Sequence, residues 1–428
     1  MSLIPQLFPE CEPVPRLGIL TVNPRVPTMT TREALIAAIA AAPDDDLPRL
    51  VAADWFEENG EPERAEFVRL QLLAFAGLGM KPPPRSSRSV ELVSRHAARW
   101  FAPFLDALDP TRPGGVGCWF DGRSSRNCLL HGPKGTPDQP GYFRSAACRR
   151  GFVCMFDLHL EGRPPASSVG AALRAKPATA LHVVVHPHRR AWGQFTEPEL
   201  ARITDLSVHE LTHGWPLMAI LPAFEDPHLS GVRTLTLYAR NPTTRPHLMP
   251  LDANTVRAFV ASPLARRVTD LTSYLDESGL RVLCEADGPR FESLRVRNRI
   301  DLSTEVALSL ASAGFAGHLR RLEFSAAVDD TALRALTASG RLPRLTELQI
   351  HLRDTSGEGL AALAAAEFTP GLEEVVLDFE GELPDTAALR PLAQALRPDV
   401  LQQLRVVGLG VDVPDFFACR FGGRVEFE

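Results

Sequence analysis

An α/β fold of repeated units, parallel strands alternating with helices, is predicted by three observations. An apolar residue followed by xx-Leu-x-apolar recurs ten times between residues 153 and 406, centred on Phe156, Leu181, Leu206, Leu235, Leu271, Leu294, Leu322, Leu348, Val375 and Leu404. Successive centres lie 23 to 36 residues apart, enough for one strand, one helix and two turns. Most of the intervening segments carry a helical apolar stripe: Thr255–Val260, Glu305–Ala313, Ala332–Ala338, Gly359–Glu367 and Ala387–Leu396. Strand, helix, strand in that order requires parallel strands with the helices on one side.

Period and motif together read as leucine-rich repeats. The predicted fold class is therefore α/β: a leucine-rich-repeat solenoid, with a parallel β-sheet on the concave face and helices on the convex face, preceded by a small all-α module. Gly317, Pro343, Gly371 and Pro398 punctuate the turns before strands, and Val425-Glu426-Phe427 reads as an extra closing strand. The repeats are degenerate. The fifth position after each centre, commonly Asn or Cys in such repeats, holds Glu161, His186, Leu211, Arg240, Asp276, Arg299, Ala327, Leu352, Glu380 and Leu409. Curvature therefore does not follow from the sequence.

Patterned sequence opens at Thr30-Thr31-Arg32-Glu33, a helix start with acid in the first turn. Pro43-Asp44-Asp45-Asp46 breaks that helix and precedes a second, Leu47–Asn59, in which Leu50, Val51, Asp54, Trp55 and Glu58 fall at helical spacing before the Asn59-Gly60 stop. A third helix, Pro62–Phe75, aligns Ala65, Val68, Leu72 and Phe75. Trp55 is expected in the core, with Asp54, Glu57 and Glu58 on a solvated face paired with Arg64 and Arg69.

The stretch Asp45-Asp46-Leu47-Pro48-Arg49-Leu50-Val51-Ala52-Ala53-Asp54-Trp55, with Glu58-Asn59-Gly60 and Arg64-Ala65-Glu66-Phe67-Val68-Arg69-Leu70-Gln71, resembles the repeat-companion domain of planctomycete proteins. The resemblance spans Met29–Leu73, and Arg150-Gly151-Phe152 resembles that family's junction into repeats. It implies a helical module followed by leucine-rich repeats, and no activity. The expected organisation is an unstructured tail at 1–28, the module at 29–75, a linker at 76–88, a helical cap and irregular region at 89–149, and repeats at 150–428. In the cap, Ser89–Leu108, the residues Leu92, Val93, Ala97, Trp100, Phe101 and Leu105 fall at helical spacing, whereas 109–149 has no period and reads as loop with room for short strands.

Composition narrows the function classes. With 428 residues, 45% apolar and 23% charged, the chain is that of a folded protein. A net charge of −6 with scattered basic residues argues against nucleic acid as partner. Of 46 basic residues only Lys81, Lys134 and Lys176 are lysines, which we read as codon bias of a GC-rich genome. The seven cysteines lack a C-x-x-C pair, pointing to a reducing cytoplasm and away from a disulfide framework. The longest apolar run, Ala34–Ala42, is about half of the ~20 residues a membrane span needs. Residues 1–28 lack the features of a signal peptide.

His209-Glu210-Leu211-Thr212-His213 matches H-E-x-x-H, which in zinc proteases needs one helix to hold both imidazoles on one face. Here Ile203-xx-Leu206-x-Val208 is a repeat strand and Gly214-Trp215-Pro216 follows at once, so the repeat reading is preferred. His182, His186 and His188 share a strand face and suit either a metal or a solvated strand end. Cys118, Cys128, Cys148 and Cys154 lack the close pairs of structural zinc sites.

If each centre and the residue two later point inward, residues one and three past the centre face the concave side. The +1 column includes Asp157, His182, Ser207, Thr236, Thr272, Arg295, Glu323, Gln349, Val376 and Arg405; the +3 column includes His159, Val184, His209, Tyr238, Tyr274, Arg297, Ser325, His351, Asp378 and Val407. Two of the three tyrosines fall in adjacent repeats of one column, either as a binding surface or because tyrosine favours strands. The expected function is a non-enzymatic scaffold or adaptor, without cofactor, metal or catalytic residues. Its partner is an unidentified protein bound by His159, His182, His209, Tyr238, Tyr274, Arg295 and Arg297. The alternative is a zinc-dependent hydrolase using His209, Glu210 and His213.

Overall fold

No unit of this length can bury an apolar strand by itself, so each must be covered by the next. The computed structural model describes residues 30–42, 45–76, 88, 89, 91–93, 95, 96, 99–101, 119–121, 128–131, 143–149, 152–160, 180–185, 198–211, 221–240, 248–297, 301–338, 340, 342–380, 386–408 and 415–427. Strands β1 (Trp119–Asp121), β2 (Cys128–His131) and β3 (Phe143–Arg149) run antiparallel into β4 (Phe152–Leu160). Then follow β5 (Ala180–Val185), β6 (Asp205–Leu211), β7 (Thr234–Arg240), β8 (Leu248–Met249), β9 (Asp270–Ser273) and β10 (Ser293–Val296). The sheet continues through β11 (Arg321–Val328), β12 (Glu347–Arg353), β13 (Glu374–Glu380), β14 (Gln403–Val407) and β15 (Val425–Phe427). Ten successive parallel pairings join β4 to β15 in sequence order, with β8 set aside as an antiparallel partner of β7. The sheet is open, and β1 and β15 are its ends.

Register follows the sequence motif. All ten centres stand side by side from Phe156 to Leu404, and Val425 takes the next place beside Leu404. From Leu181 to Leu404 none of the centres is more than 2% exposed. From Val208 to Val406 the residues two later are buried as well; the polar one, Ser273, donates its hydroxyl to the Leu237 carbonyl at 3.3 Å. A second regularity lies two residues before the seven centres from Leu206 to Val375. The Thr204 carbonyl accepts the N–H groups of both Arg233 and Thr234, at 2.8 and 2.9 Å. The same doubled acceptance recurs at Arg233, Thr269, Glu292, Arg320, Thr346 and Glu373, each serving the next unit.

Helices Ala253–Ala261, Glu277–Glu285, Thr304–Ser312, Asp330–Thr337, Gly357–Ala365 and Arg390–Ala395 fill the crossovers. Their apolar pairs, such as Leu280 and Leu283, Val306 and Leu310, or Leu333 and Leu336, enter the same core as the inward strand residues. Among the described residues, the helices therefore cover one face of the sheet and leave the other open. The first five are capped at their N-termini by Asp252, Asp276, Ser303, Asp329 and Ser356, each accepting a backbone N–H two or three residues on.

Ahead of the sheet lie α1 (Thr31–Ala41), α2 (Leu47–Glu58) and α3 (Pro62–Ala76), and helical residues recur between 88 and 101. Thr30 and Glu33 form a reciprocal capping box at the start of α1. Asn59 ends α2, followed by Gly60 at φ +80°. Ile36, Ile39, Ala52, Ala53, Phe56, Ala65, Val68 and Leu72 make a small core with Phe152 of β4. The stripe expected on α2 is not its buried face: Leu50 is 42% and Val51 47% exposed. The buried residues are Arg49, Ala52, Ala53 and Phe56, because small alanines let the neighbouring backbones approach more closely than leucine would. Trp55 packs at the margin of this core. Arg69 bonds both Asp54 and Glu57 at 2.6 Å, as expected of a solvated acidic face. Arg64 does not join them; it pairs with Glu61 and lies 4.0 Å from the Phe56 ring centre.

The other face of α3 presents Phe67 to Trp100, with ring centres 5.5 Å apart. Leu92, Val93, Trp100 and Phe101 are buried there in the main core, while Ala97 and Leu105 lie outside the described residues. The expected tail (1–28) also lies outside them, as do residues 77–87 of the expected linker.

Among the caps, Asp329 generates a test. Burial works to raise its pKa, but hydrogen bonds from the Ala332 N–H and from Thr331 outweigh it and hold the carboxyl below its usual value. A depressed folded pKa stabilises above the ordinary carboxylate range, and that contribution fades as pH falls through the folded value. Urea unfolding of Asp329→Ala should show a loss of about 1 kcal/mol at pH 7 that shrinks towards pH 3, with Asp329→Asn nearly neutral at pH 7.

Candidate partner-binding face

On the open face, side chains from the +1 and +3 columns stand between the buried rows. Tyr238 lies in β7, one residue past the part that pairs with β9, and Tyr274 directly follows β9. Their rings meet edge to face, centres 5.2 Å apart and planes at 70°. Burial pushes the Tyr238 phenol upward and Arg297 acts against it, leaving a neutral hydroxyl that both donates and accepts.

Arg295 lies in β10 and Arg297 just past its end, where its N–H bonds the Ser273 carbonyl at 2.9 Å. One carboxylate, Glu323 of β11, reaches both guanidinium groups: its two oxygens stand 3.5 Å from the Nε atoms of Arg295 and Arg297. Both Nε atoms are buried without a hydrogen bond, while the arginine side chains as a whole are 33% and 43% exposed. Their outer edges face solvent. Arg321 and Glu347 pair with each other beside this group.

A second polar group lies further along. His351 Nδ1 is 3.0 Å from Asp378 and its Nε2 is 3.2 Å from Glu380. Arg353 binds Glu380 at 2.6 Å and also Asp301. The Glu380 carboxyl is held below its usual pKa, first by Arg353 and then by His351. His351 and Asp378 were visible as column neighbours; the participation of Glu380 and Asp301 was not. Its signal was the in-register opposition of Arg353 and Glu380 across β12 and β13.

Of the expected site residues, Tyr238, Tyr274, Arg295 and Arg297 are brought to one patch. The side chains of His159, His182 and His209 lie outside the described residues. Their backbones are placed: His209 lies opposite Tyr238, His182 opposite Asp157 and Ser207, and His159 opposite Val184. Ser325 departs from its expected column. A bulge in β11 skips Ser325 and Ala326 and sets Ala327 opposite His351.

The backbone of His209, Glu210 and Leu211 belongs to the strand β6, not to the helix that H-E-x-x-H chemistry requires. His186, His188, Thr212, His213 and Cys118 lie outside the described residues. The backbones of Cys128 and Cys148 stand opposite each other in the β2–β3 pair, and Cys154 lies in β4. These antiparallel strands, where the sequence showed no period, extend the sheet beyond the repeats.

No protein-family model matches the chain, and no curated protein matches it. Among the described residues no helix is long and apolar enough to cross a membrane.

Thiol chemistry offers a check on this burial map. Cys284 is buried and its thiol is pushed up to about 12, chiefly by desolvation and further by Glu285, whereas Cys419 is exposed. The thiolate is the reacting form. Iodoacetamide at pH 8, followed by peptide mass mapping, should modify Cys419 in the native protein and Cys284 only after denaturation.

Proposed function

We propose that the chain is a leucine-rich-repeat solenoid carrying a repeat-companion module, and that it serves in the cytoplasm as a non-enzymatic scaffold or adaptor. On this reading the open sheet face is the concave surface of the solenoid and holds a protein partner. The observation that carries the proposal is the convergence of Tyr238, Tyr274, Arg295 and Arg297 on a face that the helices leave uncovered. Tyrosine and arginine offer large contact area together with polar tips, which is why they dominate binding hot spots. The parallel stacking and the row of centres support the solenoid reading, and the Arg69 clasp on Asp54 and Glu57 supports a structural role for the acidic residues of the module.

The competing hydrolase requires His209 and His213 on one helical turn around zinc; the strand conformation of His209 favours the scaffold. Affinity capture from the native host tests it. The triple variant Tyr238→Ala/Tyr274→Ala/Arg297→Ala should lose a partner that the parent chain retains, and retention of every partner overturns the assignment of this face. Metal analysis of the purified protein is the second arm: stoichiometric zinc that disappears in His209→Ala supports the hydrolase instead.

A further inference from the structure

The chain carries a net charge of −6, yet the patch around Tyr238 and Tyr274 has a local surplus of positive charge. Two guanidinium groups, Arg295 and Arg297, share the single carboxylate of Glu323. The next charged pair along the face, Arg321 with Glu347, neutralises itself. On the tyrosine side the adjacent described pair, Thr236 and Thr272, carries no charge.

We propose that the partner segment received here is an acidic peptide in extended conformation, whose carboxylates engage the open edges of Arg295 and Arg297 while its backbone lies against the Tyr238–Tyr274 pair. This rests on the reading of the open face as a protein-binding surface.

Three features carry it. First, Glu323 is a poor partner for either arginine: its 3.5 Å approach to each Nε exceeds the ~2.7–2.9 Å of a charge-assisted hydrogen bond. The Nη edges, where a carboxylate binds in bidentate fashion, remain available to a ligand. Second, the two arginines are two residues apart on extended backbone, about 7 Å along the strand. Carboxylates at alternate positions of an extended peptide have the same spacing. Third, Glu323 already places a carboxylate among these groups, and its charge opposes an incoming one. The site therefore recognises carboxylates and contains its own competitor.

Fluorescence anisotropy with a fluorescein-labelled (Glu-Thr)₃ peptide tests the idea, with (Gln-Thr)₃ as control. The acidic peptide should bind at least tenfold tighter than the control and weaken steeply between 50 and 500 mM salt. Arg295→Gln/Arg297→Gln should abolish that preference, and Glu323→Gln should strengthen acidic-peptide binding severalfold. Circular dichroism and a melting curve verify that the variants are folded; should the double variant be unfolded, Arg297→Gln alone replaces it. Equal binding of the two peptides, no binding, or unchanged affinity in Glu323→Gln overturns the proposal. If no peptide binds while host capture still depends on Tyr238 and Tyr274, the acidic class falls and the binding face stands. If capture is also insensitive to the tyrosines, both fall.

Discussion

The doubled hydrogen bond two residues before the strand centres from Leu206 to Val375 is the contact on which the rest of the array depends. A single carbonyl, from Thr204 through Glu373, accepts two N–H groups of the following unit, fixing where the next strand enters. Parallel pairing alone sets only lateral spacing, and a slip of one residue would turn every apolar side chain outward. With the entry point held, Leu206 must face Leu235, Leu235 must face Leu271, and the inward row closes without a gap. Helix packing is then secondary. The crossover between β7 and β9 is the longest, 36 residues between centres, yet register across it is unchanged.

That same constraint creates the open face. Once the centre and the residue two later are committed to the core, the positions between them have nowhere to go but the far side of the sheet. Tyr238 and Tyr274 meet because their units are adjacent, and Arg295 and Arg297 converge on Glu323 because β10 and β11 are neighbours. No folding interaction of the core requires these five side chains. The buried, unbonded Nε atoms of the two arginines impose a desolvation cost that the ion pairs with Glu323 only partly offset.

The strand row was legible in the sequence because side-chain alternation has a strict period, and leucine at a fixed place in each unit reports it directly. Helical crossovers were legible for the same reason. What escaped was set by variable geometry or by distant partners. Asp276 lies five residues after its centre and Asp329 seven, so the caps have no fixed offset that a repeat could display. The exposed Leu50 and Val51 misled because hydrophobicity reports a preference for burial, whereas Ala52 and Ala53 report how closely helices can approach. Strands β1 to β3 pair antiparallel over short spans, too few residues for a period to emerge. The patch of tyrosines and arginines followed from register alone; the Arg353–Glu380–His351 network needed side-chain reach that register does not give.

The bulge in β11 has a consequence for the surface as a whole. By displacing Ser325 and setting the small Ala327 opposite His351, it interrupts the +3 column between the arginine patch and the histidine–carboxylate group. His351 therefore meets a methyl group on its β11 side and takes its partners from β13, Asp378 and Glu380. The row of polar contacts is broken at that point, although charges on either side still act on each other through protein and solvent. One displaced residue thus divides what would be a single run of hydrogen-bonding side chains into two, each ordered by its own partners.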